Sequence, residues 1–132
     1  MTDTAAPAAP SVYPVLRYRD PAAALAWPET TFDLKESFVA RDPGGMIVHA
    51  QLAWGPGVIM LGPHDGPDWL PTGPVSVYLA CEDPDAHHAR AAGAGAEIVM
   101  APTDQEYGSR EYCARDPEGH IWSFGTYRPS AN

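Results

Sequence analysis

The chain has 132 residues, 45% of them hydrophobic and 19% charged, which fits one globular domain with a modest core. Its formal net charge of −9 argues against binding to nucleic acid or to an anionic membrane surface, because both need a basic face. The sequence lacks an apolar run of about 18 residues and a signal peptide, and its two cysteines lack CxxC spacing, so it predicts a cytoplasmic protein with reduced thiols.

The first half predicts a leader, a strand, a helix and three further strands. Residues 1–11 are rich in Ala, Pro and Thr and predict a disordered leader. After a strand over residues 12–19, Asp20 and Pro21 are typical of a helix start, and Pro28 should end that helix after one or two turns. The remaining strands of this first module, residues 12–62, are predicted near residues 37–40, 46–54 and 58–61.

The second half predicts the same order of elements. Residues 63–74 are dense in Pro and Gly and predict a linker, and residues 75–127 form the second module, followed by a tail over residues 128–132. Within that module a helix follows Asp83. The Pro-containing, Gly-closed turn over residues 116–119 predicts a closing hairpin. The predicted elements are strands at 75–81, 96–100, 110–115 and 120–127 and a helix at 85–92.

A sequence repeat supports this two-module organisation. Five residues in the first strand and helix recur 63 residues later: Leu16, Asp20, Pro21, Ala23 and Ala26 as Leu79, Asp83, Pro84, Ala86 and Ala89. An internal duplication explains both the identities and the shared order of elements. The alternative is that a strand followed by Asp-Pro and a helix is a common local solution.

Three segments carry a resemblance to a known family: LRYRDPAAALAW, HAQLAWGPGVIMLG and YGSREYCARDPEGHIWSFGTY. They resemble the vicinal oxygen chelate superfamily, which includes glyoxalases, extradiol dioxygenases, fosfomycin-resistance enzymes and bleomycin-resistance proteins. The resemblance implies an α+β fold of two tandem βαβββ modules whose sheets curve around a shared cavity, usually in a dimer. It does not decide the function, because the fold hosts both metalloenzymes and metal-free binding proteins.

The positions that hold metal in the family's enzymes carry poor ligands in this chain. In those enzymes each module gives one ligand, usually His or Glu, from its first strand and one from its last. The matching positions here are Tyr13, Met60, Ser76 and Ser123. A phenol, a thioether and two hydroxyls are a weak ligand set for a divalent ion. We therefore expect no metal, no other cofactor and no catalytic residue, as in the metal-free bleomycin-resistance-type binding proteins.

Other side chains are candidates for contact with a ligand. Tyr78 and Trp54 are placed on the concave side by alternation or position, together with the four residues above. The facing of His49, a candidate general base, is open, because loop length does not fix the parity of its hairpin. Trp69, Tyr107 and Tyr112 add aromatic surface, although Trp69 and Tyr107 could simply pin their loops. Arg110 is either a polar clamp for a ligand or a surface residue.

The sequence favours a homodimer that binds a small molecule and is not an enzyme. Its ligand would be a bulky, partly aromatic antibiotic such as a bleomycin-like glycopeptide, an enediyne or an anthraquinone, sequestered on aromatic walls. The alternative is a glyoxalase-like lyase or isomerase, or a dioxygenase, with a shifted or absent metal site. A small-molecule sensor without resistance activity is a third hypothesis.

Overall fold

The computed structural model describes residues 10–131, so most of the predicted leader lies outside the described residues. The first half contains β1 (Val15–Tyr18), α1 (Pro21–Phe32), β2 (Lys35–Arg41), β3 (Ile47–Trp54) and β4 (Gly57–Pro63). The second half contains β5 (Ser76–Ala80), α2 (Pro84–Gly93), β6 (Glu97–Asp104), β7 (Arg110–Arg115) and β8 (Ile121–Gly125). No helix within residues 10–131 is long and apolar enough to span a membrane.

Each half forms one four-stranded sheet with the same strand order. The first sheet is ordered β1-β4-β3-β2 and the second β5-β8-β7-β6, and in each sheet the first strand pairs in parallel with the last. Asp20 and Asp83 cap the two helices alike. The side chain of each accepts a hydrogen bond of 3.1 Å from the backbone N–H group three residues later in the chain. The expected α+β fold of two tandem modules is confirmed.

Helix α1 is longer than the sequence predicts. It continues through the buried Pro28 to Phe32 and ends at Asp33, whose φ of 66° is left-handed. A proline inside a helix costs about 3 kcal/mol or more, so tertiary contacts must offset that cost. The Phe32 ring supplies them: it is fully buried, with its centroid 4.7 Å from that of Phe124 and 5.2 Å from that of Trp122.

Both helices lie between the two sheets. Phe32 of α1 packs against β8 of the second sheet, and His87 of α2 has its ring centroid 5.2 Å from that of Trp54 on β3. The helix-covered faces of the sheets therefore share one core, and their opposite faces, which we call the open faces, point away from each other. Helices and core side chains fill the space between the two sheets of this chain.

The buried carboxylate of Asp116 connects the two modules. Asp116 is 4% exposed, and its Oδ2 accepts hydrogen bonds from the Tyr18 hydroxyl at 2.6 Å and from Trp122 Nε1 at 3.1 Å. Its Oδ1 accepts the backbone N–H groups of Glu118 and His120, both at 3.0 Å. Burial and the adjacent carboxylate raise the pKa of Tyr18 far above its usual range, so its hydroxyl stays a donor.

Candidate ligand-binding face

Side-chain alternation defines the two open faces. In the first sheet Met60 lies opposite both Val15 and Gln51, while the flanking Leu61 and Leu52 are fully buried under the helices. The open face of the first sheet carries Val15, Phe38, His49, Gln51 and Met60, and that of the second carries Ser76, Tyr78, Glu111, Cys113 and Ser123. Exposed apolar side chains on these faces offer a wall to a ligand.

The four positions matched to metal ligands lie on or beside these faces. Met60 and Ser123 are half-buried, Ser76 is exposed, and Tyr13 precedes β1 with its hydroxyl donated to Pro10 O. Ser123 Oγ lies 3.1 Å from Cys113 Sγ. Within residues 10–131 no group of three or more His, Cys, Asp or Glu side chains could hold a metal ion. The residues present do not fit the metal that the family's enzymes use.

His49 lies on the first open face, which the sequence left undecided. It shares that face with Gln51, whose Oε1 is 3.4 Å from His49 Nε2, and its ring centroid is 6.1 Å from that of Phe38. Its ring nitrogen therefore contacts an amide instead of the carboxylate that would orient a general base. The position still suits a polar contact with a ligand.

The structure places two predicted ligand contacts on the helix-covered side. Trp54 packs edge-on against Phe124, at 5.5 Å between centroids, and its Nε1 donates to Ala80 O at 2.7 Å. Tyr112 is fully buried and stacks on Phe124 at 5.4 Å. The placement of Trp54 on the concave side is wrong, and Tyr112 supports the core behind the open face.

Arg110 already has partners in this structure. Its Nε and Nη2 donate to the two carboxylate oxygens of Asp85 at 2.8 and 3.0 Å, and its Nη1 donates to Asp104 at 3.1 Å. These bonds tie helix α2 to β6 and β7, so the side chain acts as a surface clamp between elements. Trp69 in the linker is 80% exposed, and Tyr107 is 62% exposed with its hydroxyl bonded to Glu111.

His87 occupies the core between the modules, whereas its place beside His88 on helix α2 predicts a solvated side chain. Its Nε2–H donates to Phe32 O at 2.7 Å, and its Nδ1 accepts from the Tyr112 hydroxyl at 2.6 Å. The neutral ring satisfies both bonds, and burial lowers the pKa of His87 below its usual value. A histidine on a short Ala-rich helix gives no sequence signal for this role.

Acidification should therefore weaken the fold through His87. Because the pKa of His87 is lower in the folded state, the unfolded chain takes up the proton first, and the free energy of unfolding should fall as the pH drops below about 6.5. Urea denaturation at several values between about pH 7.5 and pH 5 measures this slope. His87→Gln should flatten it, whereas His88→Gln on the same helix should leave it intact. An equal slope in wild type and His87→Gln would contradict the prediction.

A cleft between the modules is a second concave region. Trp54, Gly55, Ala80 and Arg128 line both of its lobes, which have volumes of about 640 and 340 Å³. The smaller lobe is walled by apolar side chains including Ile59. The larger lobe lies beside His87 at the seam between the helix-covered faces, and the smaller lobe extends to Tyr78 of the second open face.

Comparison with known proteins agrees with the fold. A profile of the Glyoxalase/Bleomycin resistance protein/Dioxygenase superfamily matches residues 11–124. The uncharacterized protein Rv0887c of Mycobacterium tuberculosis is 34% identical over 125 residues, covering 88% of this chain and 74% of its own length. The uncharacterized protein Mb0911c of Mycobacterium bovis is also 34% identical, covering 88% of this chain and 82% of its own length.

Two solved structures show the same architecture. The crystal structure of TioX from Micromonospora sp. ML1 has a TM-score of 0.78 and 31% identity, covering 88% of this chain and 97% of TioX. Lactoylglutathione lyase from Agrobacterium tumefaciens has a TM-score of 0.68 at 20% identity, covering 88% of this chain and 93% of the lyase, a likeness of fold alone. The chain belongs to the Glyoxalase/Bleomycin resistance protein/Dioxygenase superfamily.

Proposed function

We propose that this protein binds a bulky, partly aromatic natural product without metal, releases it unchanged, and thereby confers antibiotic resistance by sequestration. The ligand class is a bleomycin-like glycopeptide, an enediyne or an anthraquinone. The observation that carries the proposal is the absence of every His, Asp and Glu from the four matched positions in an otherwise complete two-module fold. Such a site keeps a surface for binding and loses the Lewis acid that the family's enzymes use.

The proposal includes a homodimer. Val15, Phe38 and Tyr78 on the open faces are 42%, 50% and 36% exposed, a large apolar surface for a side of the sheet that the helices do not cover. A second copy placed with one of its open faces against one of these would turn two walls into one enclosed cavity. Two free cysteines, Cys81 and Cys113, suit the cytoplasm as its place of action.

Sequestration without metal predicts that chelator-treated protein still binds. Isothermal titration calorimetry with bleomycins, enediynes, anthraquinones and mitomycins should show saturable binding of one class, with a dissociation constant below about 1 µM. The compound should be recovered intact after release. Expression in a sensitive host should then raise tolerance in proportion to the amount of protein, which a sensor would not do. Binding that returned only after metal was restored, or no binding across the panel, would overturn the proposal.

One observation favours a second candidate, a glyoxalase-like lyase or isomerase, or a dioxygenase. His49 lies on the open face in a position to act as a general base without metal. In that case a chemically altered product would accumulate, and His49→Ala would abolish turnover while binding remained. Recovery of unchanged ligand after long incubation with wild-type protein separates the two candidates.

A further inference from the structure

Three tyrosines and one glutamate lie together at the end of the second open face. The Tyr107 hydroxyl donates to both carboxylate oxygens of Glu111, at 2.9 and 2.8 Å, and the Tyr78 hydroxyl donates to the backbone oxygen of Tyr127 at 2.7 Å. The rings of Tyr107 and Tyr127 meet edge to face with centroids 6.0 Å apart. We call these four residues the tyrosine–carboxylate box.

Gly125 is the residue that makes room for the box. A Cβ at Gly125 would lie 2.5 Å from Glu111 Cγ and 2.7 Å from the Tyr78 hydroxyl oxygen, both far inside contact distance. These two side chains therefore cross directly over the β8 backbone and lie next to each other. Because Gly125 faces the same side of the sheet as Ser123, the box is continuous with the proposed ligand-binding face.

The Glu111 carboxylate in the box forms no ion pair with a basic residue of the described part of the chain, and its hydrogen bonds come from a neutral phenol. Of the two basic residues next to the box in sequence, Arg110 is held by two aspartates, and Arg128 lines a cleft together with Tyr78 without forming an ion pair with Glu111. Three of the four box side chains are exposed tyrosines, at 36%, 62% and 51% for Tyr78, Tyr107 and Tyr127.

We propose that the tyrosine–carboxylate box is a subsite for a cationic nitrogen, so that the ligand is an amine-bearing or quaternary ammonium compound. Aromatic faces attract a cation through their quadrupoles. The carboxylate of Glu111 supplies the negative charge that pairs with it. An anionic ligand group would be repelled by Glu111, and an uncharged one could gain a hydrogen bond from it but no charge pairing. This inference rests on the proposed function and narrows it from partly aromatic natural products to cationic ones.

Choline and its uncharged isostere 3,3-dimethylbutan-1-ol test the box without the unidentified natural product. In 1H–15N NMR titrations of the full chain, choline should shift the amide signals of Glu111, Gly125 and Tyr127 with saturation in the millimolar range. The isostere has nearly the same shape and lacks the charge. Its affinity should therefore be lower than that of choline by about fivefold or more. Equal affinities for the two probes would overturn the proposal.

Two variants and a matched control localise the effect. Glu111→Gln keeps the shape of the side chain and should weaken choline binding about five- to tenfold, and Gly125→Ala should disorder the box and weaken it similarly. Glu106→Gln removes the same charge from the exposed turn that precedes Tyr107 and should leave binding within about twofold. An equal loss in Glu106→Gln and Glu111→Gln would mean only that net charge attracts choline, and would refute the subsite.

The outcomes separate this inference from the proposed function. If the natural-product panel binds to chelator-treated protein but choline does not prefer the box, only the cationic subsite is wrong. If choline binds the box while no panel compound binds, the subsite stands and the resistance proposal fails. An amine-bearing panel ligand should also lose affinity in Glu111→Gln by about five- to tenfold, which connects the two results.

Discussion

Asp116→Ala should lower the free energy of unfolding by about 3–5 kcal/mol. The substitution leaves two buried donors, the Tyr18 hydroxyl and Trp122 Nε1, without their acceptor. It also removes the acceptor for two backbone N–H groups in the turn before β8. Because Tyr18 belongs to the first module and Asp116 to the second, part of the lost energy is the energy that joins them.

The chain contains its own control for this prediction. Asp42 begins the turn between β2 and β3, and its Oδ1 accepts the N–H groups of Gly44 and Met46 at 2.9 and 3.0 Å, as Asp116 Oδ1 does in its turn. Asp42 is exposed and has no buried donors to satisfy, so Asp42→Ala should cost only about 1 kcal/mol. Urea denaturation followed by circular dichroism measures both variants. Equal losses would show that the turn, and not the buried carboxylate, supplies the stability.

A double-mutant cycle isolates the bond between the modules. Tyr18→Phe removes the hydroxyl and keeps the ring that packs edge-on against His120 at 4.7 Å. Because the two residues share one buried hydrogen bond, their interaction energy should be about 1–3 kcal/mol. Strictly additive effects would contradict the coupling. With the coupling intact, both modules should unfold in one transition, because they share a single hydrophobic core.

The elements with strong local signals were predictable from sequence. The Asp-Pro helix starts at Asp20 and Asp83 are governed by capping within a few residues, and the turn that begins at Asp116 is specified by its own Pro and Gly. The repeat at 63 residues then gave the module order, since the same local signals recur in both halves. These features need no knowledge of which surfaces meet in three dimensions.

Features that depend on contacts between modules were not predictable in the same way. Pro28 by itself predicts the end of the helix. Helix α1 continues beyond it because Phe32 is buried against the second sheet. Asp116 reads as an ordinary turn residue until Tyr18 and Trp122 are seen to donate to it. His87 lies in a short helix with few apolar residues, so its burial follows from the neighbouring module and not from its own periodicity.

Trp54 lies on the opposite face of the sheet from the one predicted for it. The alternation of β3 puts Ala50, Leu52 and Trp54 on the helix-covered side, and His49 on the open side. A Trp at the end of a strand beside a Gly-Pro-Gly turn looks available for a ligand, but its indole N–H is donated to Ala80 O across the module boundary. The buried residues of β3 determine which of its side chains face the core. The sequence alone did not show which residues of the strand are buried.

Met60→Lys should weaken binding of the natural product found in the panel by about a hundredfold or more. Met60 lies opposite Val15 and Gln51 at the centre of the first open face, in an apolar wall that the proposed dimer would enclose. A bound ligand would remove water from the unpaired ammonium group of the lysine. This desolvation costs several kcal/mol of binding free energy. A ligand bearing a cationic nitrogen would also be repelled by the new charge.

Met46→Lys is the matched control for this change. Met46 is 64% exposed in the turn before β3, so the same substitution there should leave affinity within about twofold and the fold unchanged. Isothermal titration calorimetry gives the affinities, and analytical ultracentrifugation of the same samples should show Met60→Lys weakening the dimer. If Met60→Lys bound the compound as tightly as wild type, the open faces would not be the site. The cleft lined by Trp54 and Arg128 would then be the surface to substitute next, because it is a large concave region between the modules.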